Sequence, residues 1–240
     1  MNYQQLFDPA SSTYSYLLWD PESRDAALID PVVDQTGRDI AVVERLRLRL
    51  RYTLETHMHT DHITGSGALR NALNSIVIVH EDSRAKCADV LVRDGDFIPL
   101  GRQRIHILAT PGHTGCDISF LVPGAVFTGD TLLIGSCGRT DYQSGDSGRL
   151  YASITQRLFT LPDDTLVFPG HDYQGRQRST IGEQKRHNPR LRTGITREQF
   201  IHIMGTQRLG MPERMRESLP SNLRCGTASS WSGRELRSSH

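Results

Sequence analysis

The chain has 240 residues, with 28 Lys+Arg against 27 Asp+Glu and a formal net charge of +1 at pH 7. That balance argues against a polybasic nucleic-acid binder. No stretch approaches the ~20 consecutive apolar residues of a membrane helix, and the polar first ten residues lack the apolar run of a secretory signal, so a cytoplasmic protein is expected. The cysteines, Cys87, Cys116, Cys137 and Cys225, form no CxxC pair, which indicates neither a disulfide framework nor a thiolate zinc site.

In chain order, 14–19 and 26–29 are short apolar runs joined by Asp20-Pro21-Glu22-Ser23, a pattern of two strands and a turn. Residues 37–50 read as a helix, with Ile40, Val43, Leu46 and Leu50 at helical spacing and arginines on its solvated faces. A strand at 52–55 follows, and then strands at 76–79, 104–109, 118–122, 125–128 and 166–168, each bounded by Gly, Pro or Asp. Helices are expected at 67–73, 147–160, 179–187 and 197–205. Strands and helices without strict alternation suggest helices outside a largely antiparallel sheet or pair of sheets. The Ser-, Gly- and Arg-rich stretch 226–240 is expected to be a disordered tail behind a single domain, 1–225.

Polar clusters share one structural address. His57-x-His59-x-Asp61-His62 follows the strand at 52–55, Pro111-Gly112-His113-Thr114 follows 104–109, Gly129-Asp130 follows 125–128, and Pro169-Gly170-His171-Asp172 follows 166–168. Each places a His or Asp just past an apolar strand, where the rim of a sheet gathers distant residues into one cleft. Imidazole and carboxylate donors of this kind suit a first-row transition metal. The remaining histidines, His80, His106, His187, His202 and His240, read as ordinary structural residues.

The order HxHxDH, PGHT, GD, GHD resembles the metallo-β-lactamase superfamily. The resemblance implies an α/β (α+β) fold, an αββα sandwich of two mixed β-sheets with helices on the outer faces. In the dinuclear hydrolases of that superfamily one metal would take His57, His59 and His113, the other Asp61, His62 and His171, with Asp130 between them. A finer resemblance lies outside the ligand run. The segment THMHTDHITGSGAL at 56–69, Cys137-Gly138-Arg139-Thr140-Asp141-Tyr142-Gln143, Gly170-His171-Asp172-Tyr173, Asn188-Pro189-Arg190-Leu191 and the stretch 219–226 are together similar to the persulfide dioxygenases.

That likeness implies one Fe(II) per chain, held by His57, His113 and Asp130 as a facial triad with open positions for substrate and oxygen. His59, Asp61, His62 and His171 become groups that orient those ligands or hold a second metal, and Thr114 and Asp172 brace them. The implied substrates are glutathione persulfide and O2, the products sulfite and glutathione. Substrate contacts are expected from Arg139 with Asp141, from Tyr173 and, more weakly, from Arg214. Cys137 is weighed both as a redox thiol and as a packed small residue. A homodimer is left open as an assembly, and a separate sulfurtransferase as the persulfide source, since too few residues remain for a fused rhodanese-like domain. The enzymatic rival is a hydroxyacylglutathione hydrolase with two metals. A non-catalytic persulfide or oxygen sensor is the alternative from another class.

Overall fold

The computed structural model describes residues 1–207, 209–212 and 214–227. Strands β1 (Asn2–Asp8) and β2 (Thr13–Trp19) form a hairpin, and β3 (Asp25–Ile29) pairs antiparallel with β2. Helix α1 (Thr36–Arg45) then carries the chain to β4 (Arg49–Leu54), and α2 (Ser66–Leu73) carries it to β5 (Ile76–His80), followed by β6 (Val90–Val92). These helical crossovers leave β3, β4 and β5 parallel to one another, because a strand that returns over a helix runs in the same sense as the strand before it. The first sheet has the order β1-β2-β3-β4-β5-β6.

Short connections give the second sheet its mainly antiparallel character. Its strands β7 (Phe97–Leu100), β8 (Gln103–Ala109), β9 (Ile118–Val122) and β10 (Ala125–Gly129) form a meander. Helix α3 (Ser147–Gln156) crosses to β11 (Leu166–Pro169), parallel to β10, and β12 (Ser179–Thr180) closes the edge. Three helices follow among the described residues: α4 (Ile181–His187), α5 (Arg197–Gly205) and α6 (Met215–Asn222). The second sheet has the order β12-β11-β10-β9-β8-β7.

Alternation along the strands builds the sandwich. Tyr14, Tyr16 and Leu18 of β2 and Ala27 and Ile29 of β3 face Ile105, Ile107, Phe120 and Phe127 of the second sheet in a shared core. The opposite faces, Leu17, Ala26 and Leu28, pack on Val42, Val43 and Leu69 of α1 and α2. On the other side Val126 and Val167 meet Leu150, Ile154, Ile181 and Phe200 of α3, α4 and α5. The αββα layering is therefore as expected. No helix among the described residues is long and apolar enough to cross a membrane.

Local differences have local causes. The helix read over 37–50 stops at Arg45, because Arg47 adopts a positive φ of 51° and the chain turns into β4. Leu50 thus belongs to a strand, where it is buried by alternation and not by helical spacing. The edge strands β1, β6, β7 and β12 escape the apolar-run criterion: β1 buries only Leu6 and Asp8 of its residues. Residues 226 and 227 hydrogen-bond back to Ser221 and Arg224. The rest of the expected tail, 228–240 with His240, lies outside the described residues.

Candidate metal centre

Loops leaving β4, β8, β10 and β11 converge at one end of the sandwich. The ring of His57 lies 4.1 Å from that of His59 and 4.8 Å from that of His113. His113 Nε2 is 3.6 Å from Asp130 Oδ2, while His171 Nε2 is 3.7 Å from Asp130 Oδ1 and 3.6 Å from Asp61 Oδ2. Asp130 therefore stands between the two imidazoles. Ligand atoms of His57, His113 and Asp130 all lie within 4.8 Å of one another, and so do those of His59, Asp61 and His62. Such crowding requires glycine nearby. Gly129 has a φ of +49°, and a Cβ on it would stand 2.5 Å from Thr56 Oγ1, while one on Gly138 would stand 2.8 Å from the His113 ring.

Hydrogen bonds fix which nitrogen of each candidate imidazole is bare. His113 Nδ1 is 2.7 Å from the Arg139 carbonyl and His171 Nδ1 is 2.9 Å from the Ser12 carbonyl. A carbonyl only accepts, so both Nδ1 atoms carry hydrogen and both Nε2 atoms present lone pairs. At His57, Nδ1 is 3.0 Å from Thr56 Oγ1, whose own hydroxyl donates to Asp30 Oδ2 at 2.8 Å. That hydroxyl oxygen must accept from His57, and Nε2 is again free. Three imidazoles are thus oriented by groups behind them, the arrangement found where histidine binds a metal.

Charge points the same way. Burial, with the neighbouring His59 and His113, holds His57 well below the usual imidazole range, so it stays neutral and able to donate a lone pair. Burial opposes protonation of His171 as well, but Asp130 and Asp61 outweigh it and raise that imidazole. A cation among these carboxylates would take the place of that proton. His59 Nδ1, His62 Nε2 and Asp130 Oδ1 are buried with no hydrogen-bond partner, which is costly for polar atoms unless an ion meets them. A donor set of imidazole nitrogen and carboxylate oxygen fits a divalent first-row metal.

Some supporting residues were not foreseen. Asp30, at the end of β3, accepts from the Thr56 amide at 2.7 Å and faces His59 Nε2 at 3.2 Å; Glu55 faces the same atom at 3.4 Å. Burial would lower His59, yet Asp30, Glu55 and Asp61 raise it well above its usual range. Thr13 donates to Asp61 Oδ2 at 3.0 Å. Asn222 donates to the carbonyls of His59 and His62, each at 2.9 Å. Asp30 obeys the rule that exposed the other sites, a polar residue just past an apolar strand; Asn222 sits in the 219–226 segment that carried part of the family likeness.

The outlying candidates divide. Arg139 Nε and Nη2 donate to the two oxygens of Asp141 at 2.7 and 2.8 Å, and Nη1 donates to the Gly210 carbonyl at 2.8 Å. The carboxylate grip expected of Arg139 is thus already taken by Asp141. Tyr173 lies parallel to the His171 ring, 6.0 Å centroid to centroid, and is 78% exposed at the rim. Arg214 stands 3.9 Å from Asp34 and 3.7 Å from Glu217, both long ion pairs. Thr114 and Asp172 act on turns: Thr114 donates twice to Asp117, and Asp172 holds Arg176 and the amide of Gln174.

One cysteine reading is narrowed and another is overturned. Cys137 is buried with its thiol 3.7 Å from Met204 Sδ, and burial pushes it up to about 11, which suits packing and not redox chemistry. Cys87 and Cys225 form a disulfide across 138 residues, contrary to the expectation of no such bond. Scattered spacing hides a pair that only the folded chain brings together, with Cα atoms 5.8 Å apart.

Residues 8–171 match the metallo-beta-lactamase superfamily profile. Human mitochondrial persulfide dioxygenase ETHE1 is 44% identical over 225 residues, 93% of this chain and 88% of that protein. The crystal structure of ETHE1 from Myxococcus xanthus superposes with a TM-score of 0.92 at 50% identity, covering 95% of this chain and 100% of that one. A hydroxyacylglutathione hydrolase of Polaromonas sp. is 36% identical over 170 residues, 68% of this chain and 64% of the other.

Proposed function

The chain belongs to the metallo-β-lactamase superfamily and, within it, to the persulfide dioxygenases, and from that membership we propose that it oxidises glutathione persulfide with O2 at one non-haem iron. The balanced reaction is GSSH + O2 + H2O giving GSH + SO3²⁻ + 2 H⁺. When bound, iron would supply the electron-transfer capacity that zinc lacks. The residues that would hold it are His57, His113 and Asp130.

What the chain contributes is orientation. The Arg139 carbonyl and Thr56 hydroxyl hold the His113 and His57 rings with Nε2 bare. His171, Asp61, His62 and His59 adjoin that trio, where they can hold water or a proton close to a bound persulfide. Tyr173, parallel to His171 at the rim, offers a hydroxyl to the entering substrate. Arg214, whose ion pairs among the described residues are long, is the proposed partner of a glutathione carboxylate, whereas Arg139 is held by Asp141. A separate sulfurtransferase would supply the persulfide, a homodimer is the proposed assembly, and the cytoplasm is the proposed setting.

The observation that carries this reading is the trio His57, His113 and Asp130, with donor atoms within 4.8 Å and both imidazoles pinned through Nδ1. The second trio, His59, Asp61 and His62, favours a dinuclear hydrolase as the other reading. Against it, the likeness to the hydrolase spans less of the chain, 68% where the persulfide dioxygenase likeness spans 93%. Protein purified anaerobically with iron should bind one iron per chain and consume O2 only when persulfide is added. Two zinc ions per chain with thioester hydrolysis, and no persulfide-dependent O2 uptake, would overturn the proposal.

A further inference from the structure

The Cys87–Cys225 disulfide lies where it can act on the ligand loop. Just before Cys225, Asn222 Nδ2 donates to the carbonyls of His59 and His62, and its Oδ1 accepts from the Thr64 amide, all at 2.9 Å. One side chain thus satisfies three main-chain groups of the segment that begins with His57. The Cys225 carbonyl accepts from the Gly67 amide at 2.9 Å, in the first turn of α2. Gly226 sits so close to Thr64 that a Cβ on it would be 1.9 Å from the Thr64 carbonyl oxygen.

Apart from the sulfur bridge and these hydrogen bonds, the segment has little apolar grip. In α6 only Ser218 and Asn222 are buried, and Pro220 interrupts the helical ladder. Leu219 and Leu223 are half-buried against the cluster of Met58, Val77, Val79 and Cys116. A segment with few buried apolar contacts opens readily unless something ties it down.

We propose that the Cys87–Cys225 disulfide is a redox latch that seats Asn222, a positioning residue, on the loop carrying His57, His59 and His62. The inference rests on the metal reading of that loop. Cys87 is half-buried and Cys225 is buried, so the accessible sulfur is that of Cys87. A glutathione thiolate attacks Cys87 Sγ, the S–S bond breaks, and Cys225 leaves as a thiolate that takes a proton. A second glutathione thiolate attacks the mixed disulfide and releases glutathione disulfide. Two glutathiones are oxidised and the protein gains two thiols, so electrons and protons balance. Glutathione is the thiol that the proposed reaction itself releases, which makes the latch responsive to its product.

The test uses the iron-loaded, full-length protein equilibrated in glutathione and glutathione disulfide mixtures. Alkylation in denaturant should find two thiols, Cys116 and Cys137, before reduction and four after it. Reduction should speed hydrogen exchange over 59–67 and release of iron to a chelator by roughly tenfold, the scale on which groups behind metal ligands act. Cys87→Ser should show the fast values in every mixture. Asn222→Ala should reproduce them with the disulfide intact and shift the visible bands of the cobalt-substituted protein. Hydrogen exchange needs no metal, so it decides the latch even if iron binding fails. Four thiols before reduction, or exchange over 59–67 unchanged by reduction and by Asn222→Ala, would overturn the proposal.

Discussion

The imidazole of His113 donates its Nδ1–H to the main-chain oxygen of Arg139 across 2.7 Å. Arg139 therefore serves the site through its backbone, while its guanidinium clamps Asp141 and the Gly210 carbonyl. A substitution that keeps the backbone should keep the metal. Arg139→Ala is expected to retain its iron and to lose less than about 1 kcal/mol, since the Asp141 partner is half exposed and such pairs contribute little. Its KM for glutathione persulfide should change less than about threefold, whereas Arg214→Ala raises KM by more than that with kcat retained, the pattern of lost ground-state binding. Metal analysis and O2 uptake against persulfide concentration check both; a large KM rise in Arg139→Ala alone would reverse the assignment.

Asp30 shows how much of the site rests behind the ligands. Its carboxylate accepts from the Thr56 amide and hydroxyl and faces His59 Nε2, all in the interior. Asp30→Asn turns one acceptor into a donor among groups that already donate, and leaves His59 with less compensating charge. Removing one partner of a buried charged set costs about 3–5 kcal/mol. Urea denaturation should show a loss of that size together with loss of iron; a variant within about 1 kcal/mol of the parent would show that a neutral amide serves Thr56 and His59 as well as the carboxylate does.

The candidate ligand positions were legible because each follows an apolar strand whose alternation is visible in one dimension, as with 104–109 before His113 and 125–128 before Asp130. The parallel pairing of β3, β4 and β5 was not, because alternation reports which face is buried and not which strand lies alongside. Arg47 ends a helix that Leu46 and Leu50 continue by spacing, since a positive φ leaves no mark on the residue type. The Cys87–Cys225 bond and the Asn222 bridge join residues far apart in sequence, and their chemistry exists only after the sheets have assembled.

Cys137 offers a direct check on the assignment of a packed thiol. With the thiol pushed up to about 11 by burial, the thiolate at pH 8 is roughly one part in a thousand, and access is closed by Met204 and Arg190. Iodoacetamide at pH 8 should leave Cys137 unmodified in the folded protein and modify it after denaturation, as read by peptide mass. Cys137→Ala should keep O2 uptake within about twofold of the parent. Rapid alkylation of folded protein at Cys137 would restore the redox reading.

Asp117 makes the stability depend on pH in the opposite sense to most carboxylates. Burial outweighs the nearby His113 and the Thr114 hydrogen bonds and raises it from 3.8 to about 6, so between these values the folded chain holds a proton that the unfolded chain has lost. Its contribution is complete below pH 3.8 and is lost as pH rises to about 6. A shift of that size corresponds to about 3 kcal/mol. Asp117→Asn cannot ionise, so it should gain up to about 3 kcal/mol on the parent between pH 4 and pH 6.5, whatever the offset between the two at pH 4. Urea denaturation of both proteins across that window measures the difference directly. A constant offset would mean that Asp117 is charged throughout, and that its two bonds from Thr114 outweigh its burial.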